Sequence, residues 1–292
     1  MKVLLSYGKY KGEIVELPIP KIKDDDVLVK ISYCGICGTD QDLFSSNCSF
    51  AEDGLVTYPV RLGHEWSGVV EAIGSKVTEF KKGDKVVGDN AVACGTCPAC
   101  QNKNYENCEH MLNVGTIDPV YDGAFCEYYV VPARHLHKIP EGISLKAACL
   151  AEPFSVAYAG IKRMNITDQS TVAVIGTGCI AMAAVVLSKC QSAKTVFVIG
   201  RNAKKLAAAE KLGAITINVR ECDVVDEISK LTNGKGLDYL NLEWELSNEN
   251  QDAYLDAINS EYELQQLERK YRDSIDSTDS ISAQRSLNKL MD

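Results

Sequence analysis

The chain has 292 residues, 46% hydrophobic and 24% charged, the composition of a soluble globular protein long enough for two domains. A formal charge of −9 with no basic patch excludes nucleic acid as a partner, because phosphate binding rests on clustered Lys and Arg. The first ten residues lack the apolar run of a signal peptide and no stretch reaches the roughly 18 apolar residues of a membrane span, which predicts a cytoplasmic protein with no membrane partner and reduced cysteines.

From Met1 to about Pro153 the sequence carries short β-rich runs at 27–31, 69–73, 85–87 and 128–131, separated by Gly, Pro and Asp. This predicts an all-β domain over 1–153, in barrel form. Residues 154–239 change to helix-compatible stretches alternating with apolar runs at 171–175, 195–199 and 215–219, the spacing of βαβ units around a parallel sheet. After Tyr239 there is no Gly, Pro or Cys, and 240–292 holds twelve acidic against five basic residues. Ile258, Tyr262, Leu264, Leu267, Tyr271 and Ile275 recur there at mostly three- and four-residue steps, as in an amphipathic helix.

Three clusters carry chemistry. Cys94-Gly-Thr-Cys97-Pro-Ala-Cys100, with Cys108 after seven intervening residues, gathers four thiols into a loop that can curl around one tetrahedral zinc. Such a closed set leaves no position for substrate, so its expected role is to hold a lobe in shape. Upstream, Cys34-Gly-Ile-Cys37-Gly-Thr39-Asp40 and Gly63-His64-Glu65 offer thiolate, imidazole and carboxylate, the donor types of a catalytic zinc with one open position. Downstream, Gly176-Thr-Gly178-Cys-Ile-Ala181 stands between an apolar strand and a helix at 182–189, where close-packed turns let a pyrophosphate approach a helix N-terminus. His110, His135 and His137 read as loop or strand-flanking residues in contact with solvent.

These motifs, in this order, resemble the zinc-containing medium-chain dehydrogenases, the family of alcohol, sorbitol, iditol and threonine dehydrogenases, over Met1 to about Asp238. The resemblance implies a GroES-like β-barrel catalytic domain joined to a Rossmann domain, catalytic-zinc ligands at Cys37 and His64, and a structural zinc at Cys94, Cys97, Cys100 and Cys108. It implies further that Thr39 contacts the substrate alcohol and starts a proton relay, that Asp40 orients His64, and that Glu65 binds zinc or exchanges with its water. Where alcohol dehydrogenases place a third cysteine ligand this chain has Ala151-Glu152-Pro153, as polyol dehydrogenases do. Glu152 is then the ligand or its water-mediated neighbour, and the substrate class tilts to polyols. Members of the family form homo-oligomers.

At the end of the second parallel strand, NAD-preferring members carry an acid for the ribose hydroxyls, whereas this chain has Gly200 followed by Arg201. Space at Gly200 and charge at Arg201 point to NADP over NAD, although Arg201 also suits an ordinary helix start. Relatives continue past Tyr239 with further sheet strands and nicotinamide contacts. The 240–292 segment resembles instead a piece of an extended helical protein, such as a phage tail tape-measure protein, and is read as an acidic helical tail of foreign character. The expectation is therefore a zinc-dependent oxidoreductase acting on a secondary alcohol with NAD(P). Its alternative is a catalytically impaired fragment or chimera with an incomplete cofactor site. A shortened sheet would also leave the strand at 171–175 near an edge, unless residues 240–244 pair beside it.

Overall fold

The computed structural model describes residues 1–242, which divide into two compact units, Met1–Glu152 and the residues from Pro153 onward. Among the described residues no helix is long and apolar enough to cross a membrane. Trp244 and the periodic segment from Ile258 to Ile275 lie outside the described residues.

The first unit opens with the antiparallel pair β1 (Lys2–Gly8) and β2 (Lys11–Glu16), followed by β3 (Asp26–Cys34). Helices α1 (Gly38–Ser45) and α2 (Ser49–Glu52) precede β4 (Trp66–Ile73), β5 (Lys85–Gly88) and β6 (Ala91–Val92). After the short helix α3 (Pro98–Gln101) come β7 (Leu112–Val114), β8 (Val120–Tyr121), β9 (Tyr128–Pro132) and β10 (Leu136–Lys138). Helix α4 (Leu145–Ala148) and then α5 (Ala151–Lys162) lead toward the second unit. An antiparallel sheet of order β10-β5-β4-β3-β9 forms the main wall, and β6-β7-β8 a smaller sheet. Alternate residues of β3 and β4 point into one core, where Val27, Val29, Trp66 and Val70 pack with Val86, Tyr129 and Val131. Trp66 and Tyr129 meet edge-on with ring centroids 5.1 Å apart.

This unit is not purely β, which corrects the sequence expectation. The eight residues of α1 are too few to show a helical period, and the helix is started by a cap instead. Asp40, at its third position, accepts the Cys37 N–H at 2.9 Å, while Leu43 anchors its inner face and is fully buried.

The second unit is a parallel sheet built from β11 (Thr171–Ile175), α6 (Cys179–Cys190), β12 (Thr195–Gly200), α7 (Ala203–Lys211), β13 (Ile215–Asn218), α8 (Val224–Leu231) and β14 (Tyr239–Leu242), in order β13-β12-β11-β14. Both faces are covered, which is why its strands read as unbroken apolar runs. Val172, Val174, Val196 and Val198 face Ala181, Ala184 and Val185 of α6 and Leu206 of α7. Ala173, Ile175, Phe197, Ile199 and Ile217 face Val224 and Ile228 of α8. The strand at 171–175 is interior, not at an edge, because β14 pairs with it from Val172↔Tyr239 to Ile175↔Leu242. Asp238 sets that register: its carboxylate accepts the Thr171 N–H at 2.8 Å and its own N–H donates to Thr171 O at 2.9 Å.

Candidate functional site

Strand pairing brings the first cluster together. β3 and β4 run antiparallel with Cys34 opposite Trp66, so the residues just beyond β3 and just before β4 share one end of the sheet. Gly35 N–H donates to Glu65 O at 2.6 Å and closes that end. The ligand atoms of Cys37, His64 and Glu65 all lie within 4.8 Å of one another. A Cβ at Gly35 would meet Glu65 Oε2 at 2.2 Å, so a side chain there would displace that carboxylate. The sequence reading passed over Gly35, although its place inside Cys-Gly-x-Cys was a signal.

Burial makes this cluster costly unless a cation neutralises it. Asp40, His64 and Glu65 are 2%, 5% and 8% exposed. Asp40 accepts from the N–H groups of Cys37 and Gly63, at 2.9 and 3.0 Å. Its Oδ1 stands 3.7 Å from His64 Nδ1, an ion-pair distance too long for a hydrogen bond, and His64 Nδ1 has no partner. Burial raises the Asp40 carboxyl above its ordinary range, against the pull of His64. Burial likewise raises that of Glu65, opposed by His64 and reinforced by the charges of Glu152 and Asp40. A thiol, an imidazole and a carboxyl raised by burial, with their ligand atoms this close together, suit a divalent metal of zinc type.

Thr39 lies beside the cluster, its Oγ1 3.8 Å from Cys37 Sγ. Glu152, in the first turn of α5, is not one of the three clustered ligands. Its Oε1 accepts from Asn90 Nδ2 at 2.6 Å, and its charge reaches Glu65.

The four-cysteine loop folds as a separate lobe. All four sulfurs lie within 4.8 Å of one another, with Cys94–Cys100 and Cys97–Cys108 at 3.9 Å. A zinc tetrahedron with bonds of about 2.3 Å has edges of about 3.8 Å, whereas a disulfide closes to about 2.05 Å. All four thiols are free. Backbone N–H groups already point at the sulfurs, from Thr96 and Cys97 to Cys94 and from Cys94 and His110 to Cys108. Hydrogen bonds from the Thr96 hydroxyl and from the Thr96 and Cys97 amides lower the Cys94 thiol to about 5, while burial pushes Cys100 up to about 12.

His135 departs from the sequence reading. It is 2% exposed, not solvated, because Asp89 satisfies its Nδ1 at 2.9 Å and its Nε2 accepts the Ala93 N–H at 3.0 Å. The second Asp89 oxygen lies 2.8 Å from His137 Nε2, and His137 is exposed as expected. The two histidines hold the Asp89 carboxyl down to about 2 despite its burial. His110 lies in the exposed loop after Cys108.

In the second unit, Gly176 N–H donates to Ile199 O at 3.0 Å and Gly178 caps α6, so the turn is held against β12. Ala181 is fully buried against the sheet. Gly200 does not leave open space as the sequence suggested. A Cβ there would meet Thr177 Cγ2 at 2.5 Å, so the Thr177 methyl already occupies that volume. Just beyond, a cleft of about 480 Å³ is lined by Arg201, Lys204 and Arg220 together with Asn218 and Glu221. The sequence pointed to Arg201 alone, since Lys204 and Arg220 come together only through the α7–β13 fold.

The chain is similar to known proteins over most of its length. Residues 23–141 match the family described as alcohol dehydrogenase GroES-like domain, and residues 179–259 match the zinc-binding dehydrogenase family. Sorbitol dehydrogenase of Bacillus subtilis (strain 168) is 36% identical over 239 residues, covering 82% of this chain and 67% of that protein. Among solved structures, alcohol dehydrogenase TADH from Thermus sp. ATN1 aligns with a TM-score of 0.74 at 31% identity, over 83% of this chain and 70% of its own. Galactitol-1-phosphate dehydrogenase from Escherichia coli aligns with a TM-score of 0.72 at 27% identity, over 88% and 81%.

Proposed function

The chain belongs to the zinc-dependent medium-chain alcohol and polyol dehydrogenases, and from that premise we propose that it oxidises a secondary alcohol of the polyol type, with NADP preferred to NAD. The observation that carries this reading is the convergence of Cys37, His64 and Glu65 beside the Thr39 hydroxyl. Cys37, His64 and Glu65 would hold a catalytic zinc, with Glu152 as a further ligand or its water-mediated neighbour. Cys94, Cys97, Cys100 and Cys108 would hold a structural one.

A zinc ion held there would supply Lewis-acid polarisation of the alcohol, and a bound nicotinamide would supply the hydride acceptor. The chain's own residues do the rest. Thr39 can accept a hydrogen bond from the substrate hydroxyl and donate outward, so its Oγ1 is the first station for the departing proton. Asp40, held by two backbone N–H groups, sets the negative field behind His64. Gly176, Gly178 and Ala181 form the turn for the pyrophosphate. Initial rates on a panel of polyols and simple secondary alcohols, with NADP and NAD, test the proposal. Polyol-dependent reduction of NADP is expected. A protein that binds both metals but neither cofactor would instead support the reading as an impaired fragment.

Two local predictions follow from the geometry. Gly35→Ala should drive the Glu65 carboxylate from its place and weaken the exchangeable zinc by about 10–100-fold, as loss of a supporting contact does at such sites. Chelator competition measures this, and unchanged affinity would show that Glu65 is no ligand. For the cofactor, Gly200→Asp is a poor probe because Thr177 blocks it. The cations are the better one: Arg201→Ala and Arg220→Ala should each weaken 2′,5′-ADP about tenfold or more and leave 5′-ADP unchanged, as expected for charged hydrogen bonds to the 2′-phosphate. Equal loss for both nucleotides would mean that the cleft reads no 2′-phosphate.

A further inference from the structure

Between β5 and β6 the chain passes through Asp89 and Asn90, and both are fastened on several sides. Asp89 is gripped by the two histidines, and its N–H donates to His135 O at 3.1 Å. Asn90 O accepts the Val114 N–H at 3.0 Å, which ties the same residue to β7. Because His135 Nε2 accepts a backbone N–H, its proton sits on Nδ1 and is donated to Asp89, which fixes the ring as well as the carboxylate. The backbone at Asn90 therefore has little freedom.

Its side chain spends that rigidity on Glu152. A carboxylate has only acceptors, so the Asn90 amide must present its N–H to Glu152 Oε1, and it does so at 2.6 Å. The Glu152 charge reaches Glu65 and opposes ionisation there, so where this carboxylate is held matters to the cluster. We propose that Asn90 is a positioning residue: anchored by Asp89, His135 and His137, it holds the Glu152 carboxylate toward the Cys37, His64 and Glu65 centre. This rests on the reading of Glu152 as part of that metal site. It assigns a role to the histidine pair, which otherwise lies outside the chemistry.

The test loads cobalt(II) into the exchangeable site of full-length protein that retains its lobe zinc, and reads affinity by chelator competition together with the visible spectrum of the ion. The variants are Glu152→Gln, Asn90→Ala, Asn90→Asp and the double variant Asn90→Ala/Glu152→Gln. Asn90→Asp keeps the shape and removes the donor. Both Asn90 variants are expected to weaken cobalt by about tenfold, to shift its spectrum and to lower kcat with KM for the cofactor unchanged. The double variant should be no weaker than Glu152→Gln, because the two residues act through one contact. Wild-type affinity and spectrum in both Asn90 variants, with loss in Glu152→Gln, would overturn the positioning role and leave the metal reading standing. Wild-type behaviour in Glu152→Gln would overturn both. Loss of the lobe zinc in both Asn90 variants would also overturn the proposal, by showing that Asn90 supports the fold and not the carboxylate.

Discussion

Replacing Cys37 by Ser should remove one of two zinc ions and lower turnover by on the order of a thousandfold or more. A serine hydroxyl stays protonated and is a poor zinc ligand, so the site loses its softest and most negative donor. Metal polarisation contributes several kcal/mol to such a reaction, and each 1.36 kcal/mol is tenfold in rate. The backbone should not suffer, because what starts α1 is the Cys37 N–H bonded to Asp40, and serine keeps it. The lobe cysteines lie on a different loop and form their own cluster, so their ion should stay. Elemental analysis and initial rates check both halves of this expectation. Loss of both ions together would show that the two sites are not independent.

Cys97→Ala should have the largest effect on stability. The lobe core consists of Ala93, Cys97 and Cys100 with partly buried Cys94, Ala99, Tyr105, Cys108 and Met111, too little apolar surface to hold a loop with only one four-residue helix and one 3₁₀ turn. Zinc bound by small structural sites contributes about 10–16 kcal/mol of apparent binding energy, which there is folding energy. Without its ion the lobe should open, and amide protection over residues 94–108 should vanish in hydrogen exchange while Val70 and Tyr129 in the main core stay protected. Arg134 and His135 still bond to Ala93 O and N–H, so opening should stop at residue 93. Lobe amides as protected in Cys97→Ala as in the wild type would mean that the loop folds without metal.

The spacing of residues showed most of what local chemistry can show. Four thiols in fifteen residues, His64 next to Glu65, and Gly176-x-Gly178-x-x-Ala181 each declare a site because their partners are close in sequence. The parallel strands were visible because burial on both faces makes them continuously apolar. What stayed hidden depends on distant pairing. His135 looked solvated because Asp89 and Ala93, which bury and satisfy it, lie more than forty residues away. Helix α1 was missed because its cap, not its period, defines it. Gly200 looked like open space because nothing in its neighbourhood in sequence says that the Thr177 methyl fills it. For the strand at 171–175 the sequence left two outcomes open, an edge position or pairing with residues 240–244, and Tyr239–Leu242 does pair with it, with Asp238 fixing the match.

Two independent metal centres are expected in this chain, a catalytic one on Cys37, His64 and Glu65 and a structural one on its four clustered cysteines. Zinc content per chain, before and after dialysis against a mild chelator, tests this most directly. Two ions falling to one, with the remaining ion released only when the thiols are modified, is the predicted result. One ion or none in freshly purified, folded protein, or two that leave together, would contradict it.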